Sequence, residues 1–175
     1  HTFASLGTGG FSTRNASVGA FHSPSVEIIC AVFMILAGVN FSLYFHLFTG
    51  HPEEFFHNSE LKAYLKIVFV STALIALSIY PIYGIGGGLR QSFFQVASII
   101  TTTGFSTADY NAWPEFAKMV LFFLMFVGGC SGSTAGSIKV IRWLILQKQA
   151  GMEAKRLLSP HGVFGIQLNN RPGRK

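Results

Sequence analysis

The sequence predicts an all-α polytopic membrane protein whose spans are separated by short re-entrant helices. Three observations carry that prediction. Half of the 175 residues are hydrophobic and only 11% are charged, against about 25% in a soluble domain, so the solvent this chain is written for is lipid. Three stretches are long and apolar enough to cross a bilayer, which takes about 20 residues. One sequence unit also occurs twice: Gly10-Phe11-Ser12-Thr13 returns 94 positions later as Gly104-Phe105-Ser106-Thr107, and a proline-led span follows each copy. The wealth of apolar residues excludes a disordered chain, and the lack of a Gly-X-Y period excludes a collagen-like one.

His1 to Leu6 reads as the tail of a short uncharged helix running into Gly7-Thr8-Gly9-Gly10. The first span covers about Val26 to Phe48 and is uncharged from Ile28 through Phe45. It opens at Ser23-Pro24, an N-cap followed by proline at the first helical position, and has the composition of an unbroken helix. Residues 51–66 read as a connection; His51-Pro52-Glu53-Glu54-Phe55-Phe56-His57 carries metal-capable side chains but reads as a solvated loop. The second span covers Ile67 to Tyr83, closed by Pro81 and the cluster Gly84 to Gly88. Gln91 to Thr103 has no charge, yet is too polar and too short to cross, and reads as a re-entrant helix. The third span opens at Trp113-Pro114 and is apolar from Met119 to Ile138, with Leu124 to Gly129 echoing Phe33 to Gly38.

The unit is therefore span, short re-entrant helix, glycine turn, span. Residues 1–50 hold the last half of one unit and 67–150 a complete second one, with 151–175 leading onward. The start at His1, without an initiator Met or a basic signal region, and the polar end Arg171 to Lys175 read as an internal piece of a longer polypeptide. With the GFST turns outside, Arg14, Arg90 and Lys118 are external. The other ten Lys and Arg, including Lys62, Lys66, Lys139 and Arg142, are cytoplasmic. That bias follows the positive-inside rule and accounts for the formal charge of +6 without a nucleic-acid partner.

The chemistry lies in the glycine-rich segments. A short helix ending in a Thr/Gly turn directs its partially negative end into the protein, and the turn can offer backbone carbonyls to a dehydrated cation, as potassium filters do. Gly7, Thr8, Gly9 and Gly10, and then Thr101, Thr102, Thr103 and Gly104, fit that role, the K+ ion being the ligand. Gly128-Gly129-Cys130-Ser131-Gly132-Ser133-Thr134-Ala135-Gly136-Ser137 puts four hydroxyls and four glycines inside the third span. Each glycine costs about 1 kcal/mol in a helix interior, so the expectation is an unwound segment that lines or blocks the path below the filter. The GxxxGxxxG spacing of Gly128, Gly132 and Gly136 also fits a close helix contact. The segment is no phosphate loop, because Lys139 does not directly follow the closing glycine. Cys30 and Cys130 make neither a disulfide framework nor a CxxC metal site, and no nucleophile–base or carboxylate pair points to an enzyme. An ion-coupled secondary transporter with discontinuous helices and a non-conducting scaffold are the competing classes.

Residues 100–116, ITTTGFSTADYNAWPEF, and 126–143, FVGGCSGSTAGSIKVIRW, closely resemble the third repeat of bacterial Trk-type potassium uptake membrane subunits, of the Trk/Ktr/HKT superfamily. Residues 1–21, HTFASLGTGGFSTRNASVGAF, resemble the end of the second repeat. The resemblance implies four membrane–pore–membrane repeats around one ion path, a potassium-channel-like plan, with Gly10 and Gly104 as filter glycines. It implies that Gly128 to Ser137 gate the path from below, and that Lys139 and Arg142 lie at the cytoplasmic mouth. It further implies a multi-pass protein of the bacterial inner membrane, a homodimer, and a cytoplasmic nucleotide-binding regulatory subunit, with no cofactor in this chain. One departure stands out: the second repeat reads Gly7-Thr8-Gly9-Gly10 where the third has three threonines.

Overall fold

The computed structural model describes residues 1–50, 52–158, 167–168 and 171–172. After the short helix α1 (Thr2–Leu6) and a 3-10 turn at Ser17–Phe21, α2 runs over Pro24–Ala37 and α3 over Phe41–Phe48. Next come α4 (Pro52–His57) and the long α5 (Ser59–Ile100), then a 3-10 turn at Tyr110–Ala112 and α6 (Glu115–Leu124). Residues 125–139 are non-helical, closed at their base by a bridge between Val127 and Ile138. Helix α7 (Val140–Leu158) follows, and Gln167–Leu168 pairs antiparallel with Arg171–Pro172 in a minimal hairpin.

Helix α5 organises the rest, packing against α2, α6 and α7. Its first arm, 59–83, contributes Leu61, Tyr64, Val68, Ile75 and Ile79 to the main core, where they meet Leu43, Trp113, Ala117, Leu121, Cys130 and Val140. Its second arm contributes Phe94 and Ala97 to a smaller core with Val18, Ala31, Met34 and Phe105. The two arms meet at Gly84, whose φ of 67° and ψ of −176° are non-helical. Large apolar side chains also face outward: Leu77 and Ile85 are each 76% exposed, and Phe69, Phe122 and Phe123 are exposed as well. Single exposed apolar residues are ordinary; so many along α5 and α6 belong to a chain that meets lipid or further protein.

The spans differ from the sequence expectation in three places. The first is not one rod: α2 and α3 meet at 92° across Gly38-Val39-Asn40. The bend is fully bonded. Of the last four carbonyls of α2, those of Met34 and Ile35 accept from Gly38 N, and that of Leu36 accepts from Val39 N (3.1 Å each). The Ala37 carbonyl lies 3.2 Å from Thr134 Oγ1, sharing its one proton with the Leu6 carbonyl at 2.9 Å. The Tyr64 hydroxyl adds a second bond to Ile35 O at 3.2 Å and Tyr44 one to Leu36 O at 2.7 Å. Gly38 is required here, since a Cβ would sit 2.3 Å from the Tyr64 hydroxyl oxygen. Asn40 then caps α3, its Oδ1 accepting from Ser42 N at 2.9 Å.

The second span starts earlier than Ile67, because Asn58 caps α5 at Ser59 through Leu61 N at 3.0 Å. It passes through Pro81 and ends at the non-helical Gly84, as the glycine cluster predicts, and a second helical arm runs from there to Ile100. The third span is helical only to Leu124. By length and composition α5, kinked at Gly84, is the one helix among the described residues fit to cross, with the bent α2–α3 pair a second candidate. His51 and, of the connection 151–175, residues 159–166, 169–170 and 173–175 lie outside the described residues.

Candidate functional site

The two glycine turns repeat the same three backbone bonds. Gly7 N donates to Phe3 O, Thr8 N to Ser5 O and Gly9 N to Ala4 O; 94 positions on, Thr101 N donates to Ala97 O, Thr102 N to Ile99 O and Thr103 N to Ser98 O. This is the Schellman pattern for ending a helix, which places the residue after the C-cap in the left-handed region. Glycine usually sits there, yet here the residue is Thr8 (φ 49°) and Thr102 (φ 56°). A β-branched residue in that conformation costs about 1–2 kcal/mol, and both turns bear that strain. Two residues later Gly10 (φ 64°) and Gly104 (φ 88°) turn the backbone again. Among the described residues, no hydrogen bond is donated to the carbonyls of 7–10 or 101–104. Eight acceptors at the C-terminal ends of two helices are thus left for something else to satisfy.

The threonine hydroxyls are not among those free acceptors. Thr101 Oγ1 donates to Ala97 O at 2.7 Å, so its 2.7 Å contact with Thr103 Oγ1 is a bond donated by Thr103. Both side chains are buried, and both brace the turn against its own helix. Ser98 Oγ does the same from beneath, donating to Phe105 O at 2.6 Å. At the far end of the second arm, Arg90 Nε lies 3.0 Å from the buried Glu27 Oε2 and ties the arm to α2.

The two turns also touch each other, and the contact is not symmetric. A Cβ on Gly10 would lie 1.9 Å from Thr103 O, so only glycine lets the first turn approach the second. Beside it, Gly19 N donates to Ser106 O at 3.2 Å, and Ser106 N donates to Ser17 Oγ at 3.3 Å. The equivalent face of Gly104 meets nothing within 4 Å. One unit presents Gly10 and the next presents Thr103, a head-to-tail relation of the kind that generates rings.

Residues 128–137 fill the space against both turns. Thr8 Oγ1 donates to Thr134 O at 3.0 Å, Thr134 Oγ1 donates to Leu6 O at 2.9 Å, and Gly136 N donates to Thr102 Oγ1 at 2.8 Å. The two strained threonines are the residues that grip this segment. Its glycines are needed for close approach: a Cβ on Gly128 would be 2.1 Å from Gly136 O, and one on Gly129 2.7 Å from Gly38 O. Its base closes through Gly128 N to Ile138 O (2.9 Å) and Val140 N to Gly129 O (3.2 Å), and Cys130 N bonds Gly38 O at 2.8 Å. Ser133 Oγ donates to Cys130 O and Ser137 Oγ to Met125 O. Gly132, with φ 72°, packs on Asn40, Ala135 is buried and Ser131 is exposed. The segment is a loop, so the GxxxGxxxG spacing forms no helix face.

The cationic pair splits. Lys139 folds back into the loop, its Nζ donating to Ala135 O and, at 3.4 Å, to Ser133 O. Arg142 is exposed on the first turn of α7. One residue that the sequence did not single out also belongs to the site. Glu60 is 5% exposed, and its Oε1 accepts from Ser131 N at 2.6 Å and Ile141 N at 3.2 Å. Its partners stand 71 and 81 positions away, so no local pattern marked it.

Comparison with known proteins identifies the fold and the family. A family model described as TrkH, cation transport protein, matches residues 1–67 and 61–171. The chain is 39% identical to the Trk system potassium uptake protein TrkH of Escherichia coli strain K12, covering 98% of this chain and 36% of that protein. It is 31% identical to TrkG of the same strain over similar shares, 98% and 36%. The crystal structure of the potassium transporter TrkH from Vibrio parahaemolyticus superposes with a TM-score of 0.89 at 36% identity, covering 95% of this chain and 37% of that one. The chain thus spans about a third of the length of the relatives it matches.

Proposed function

The chain belongs to the TrkH family of cation transport proteins, and from that premise we propose that it supplies two adjacent filter turns and an obstructing segment to a potassium uptake path. The observation that carries the reading is the set of free carbonyls at 7–10 and 101–104. Each follows the C-terminal end of a helix, and each turn is fixed by the same three backbone bonds. Preorganised carbonyls of this kind replace the hydration shell of a monovalent cation at little reorganisation cost. Potassium is the ion named for the relatives above. The loop 128–137 bonds both turns and therefore stands on any path that leads past them.

In this reading the chain is part of a longer multi-pass polypeptide of the bacterial inner membrane, in which further units complete the ring begun by Gly10 and Thr103. A homodimer and a cytoplasmic nucleotide-binding regulatory subunit complete the assembly. No step calls for a cofactor.

The test is rubidium and sodium flux into liposomes holding the full polypeptide. Rubidium entering well ahead of sodium, with no gradient of another solute, is the expected result. Flux that depends on an imposed proton or sodium gradient would instead favour coupled transport through the discontinuous helices. Deleting residues 131–136 while keeping the closed base is expected to raise rubidium flux several-fold, and unchanged flux would remove the obstructing role.

A further inference from the structure

The loop 128–137 is held from the filter side by hydroxyl and amide groups, all neutral. Among the described residues, the carboxylate that grips it comes from elsewhere, from the first turn of α5. Glu60 Oε1 accepts from Ser131 N inside the loop and from Ile141 N at the start of α7. The second bond fills a need, because a helix leaves its first four N–H groups without internal partners and its N-terminus favours an anion. The first is charge-assisted and short at 2.6 Å, in a class roughly twice as strong as neutral bonds. A buried carboxylate is retained only when so compensated.

We propose that Glu60 is the positioning residue of the pore segment: one oxygen pins the glycine-rich loop and the start of α7 to α5 at a single point. The loop then cannot leave the turns unless α7 shifts or Glu60 lets go, so a displacement of α7 is transmitted to the path. This rests on the reading of the loop as an obstruction, and the experiment separates the two. Cys130 provides an independent reporter, since it is a free thiol, fully buried, and adjacent to Ser131.

The full polypeptide is purified as wild type, Glu60→Ala, Glu60→Asp and Glu60→Gln. Each form is tested for rubidium flux per protein in liposomes and for the rate of Cys130 alkylation, identified by peptide mass. Glu60→Ala is expected to speed alkylation and raise flux at least about tenfold, the factor set by losing one hydrogen bond to a charged group. Glu60→Gln keeps a carbonyl acceptor of the same length and is expected to stay within about threefold of wild type on both counts, as a neutral acceptor retains about half of such a bond. Glu60→Asp, shorter by one methylene, falls between and serves where Glu60→Ala is not recovered folded. Wild-type alkylation and flux in both Glu60→Ala and Glu60→Asp would overturn the proposal. Faster alkylation with unchanged flux would support the pin and overturn the obstruction.

Discussion

The turn at 7–10 and the turn at 101–104 share three backbone hydrogen bonds, a left-handed threonine and a left-handed glycine. They differ in what stands beside the glycine. Gly10 is pressed against Thr103 O, while the same face of Gly104 is open. Sequence of the same kind thus made the same local object twice, and its neighbours gave the two copies different work. The threonines show the same split: Thr8 donates to the loop, whereas Thr102 accepts from it.

The sharpest way to break that comparison is at the glycines. Gly10→Ala places a methyl group on a backbone oxygen at a left-handed φ, and overpacking plus conformational strain total about 3 kcal/mol or more. Rubidium-over-sodium selectivity of the reconstituted polypeptide is expected to collapse. For Gly104→Ala, strain alone predicts about 1–2 kcal/mol. The head-to-tail contact implies a further unit against Gly104, so the expected loss matches that at Gly10. A clearly smaller loss would leave the face open and break the repeat reading.

Smaller effects test the threonines. Thr102→Val removes the acceptor for Gly136 N and is expected to loosen the loop by about 1 kcal/mol, roughly fivefold in basal rubidium flux. Thr102→Ser restores the acceptor and should return flux to the wild-type level. Thr103→Val is expected to lower thermal stability by about 1 kcal/mol through its lost bond to Thr101, with selectivity unchanged. A shifted rubidium-to-sodium ratio would show that this hydroxyl faces the ion instead of the helix.

Much of this was legible in the residues. The GFST repeat marked both turns, and the density of glycine in 128–137 marked a segment unable to stay helical. The bend at Gly38 was not legible, because both arms are apolar and a hydropathy reading cannot distinguish a rod from a corner. Apart from the local Tyr44, its bonds come from Tyr64, Cys130 and Thr134, far along the chain. The 3.2 Å pin from Glu60 to Ile141 was hidden in the same way. Helix α5 beginning at Ser59 was readable in principle from Asn58, an N-cap residue ahead of an apolar run.

By itself the sequence determined the lipid-adapted composition, the order of the helices and the conformation of each turn. These are local matters, decided by side-chain transfer energies and by bonds that close within about five residues. The tertiary structure alone decided that the loop lies across both turns, that α2 and α3 meet at a corner, and that Glu60 is a pin and not a surface acid. Those outcomes depend on pairs 29 to 128 positions apart, which exist only once packing around α5 has brought the ends together.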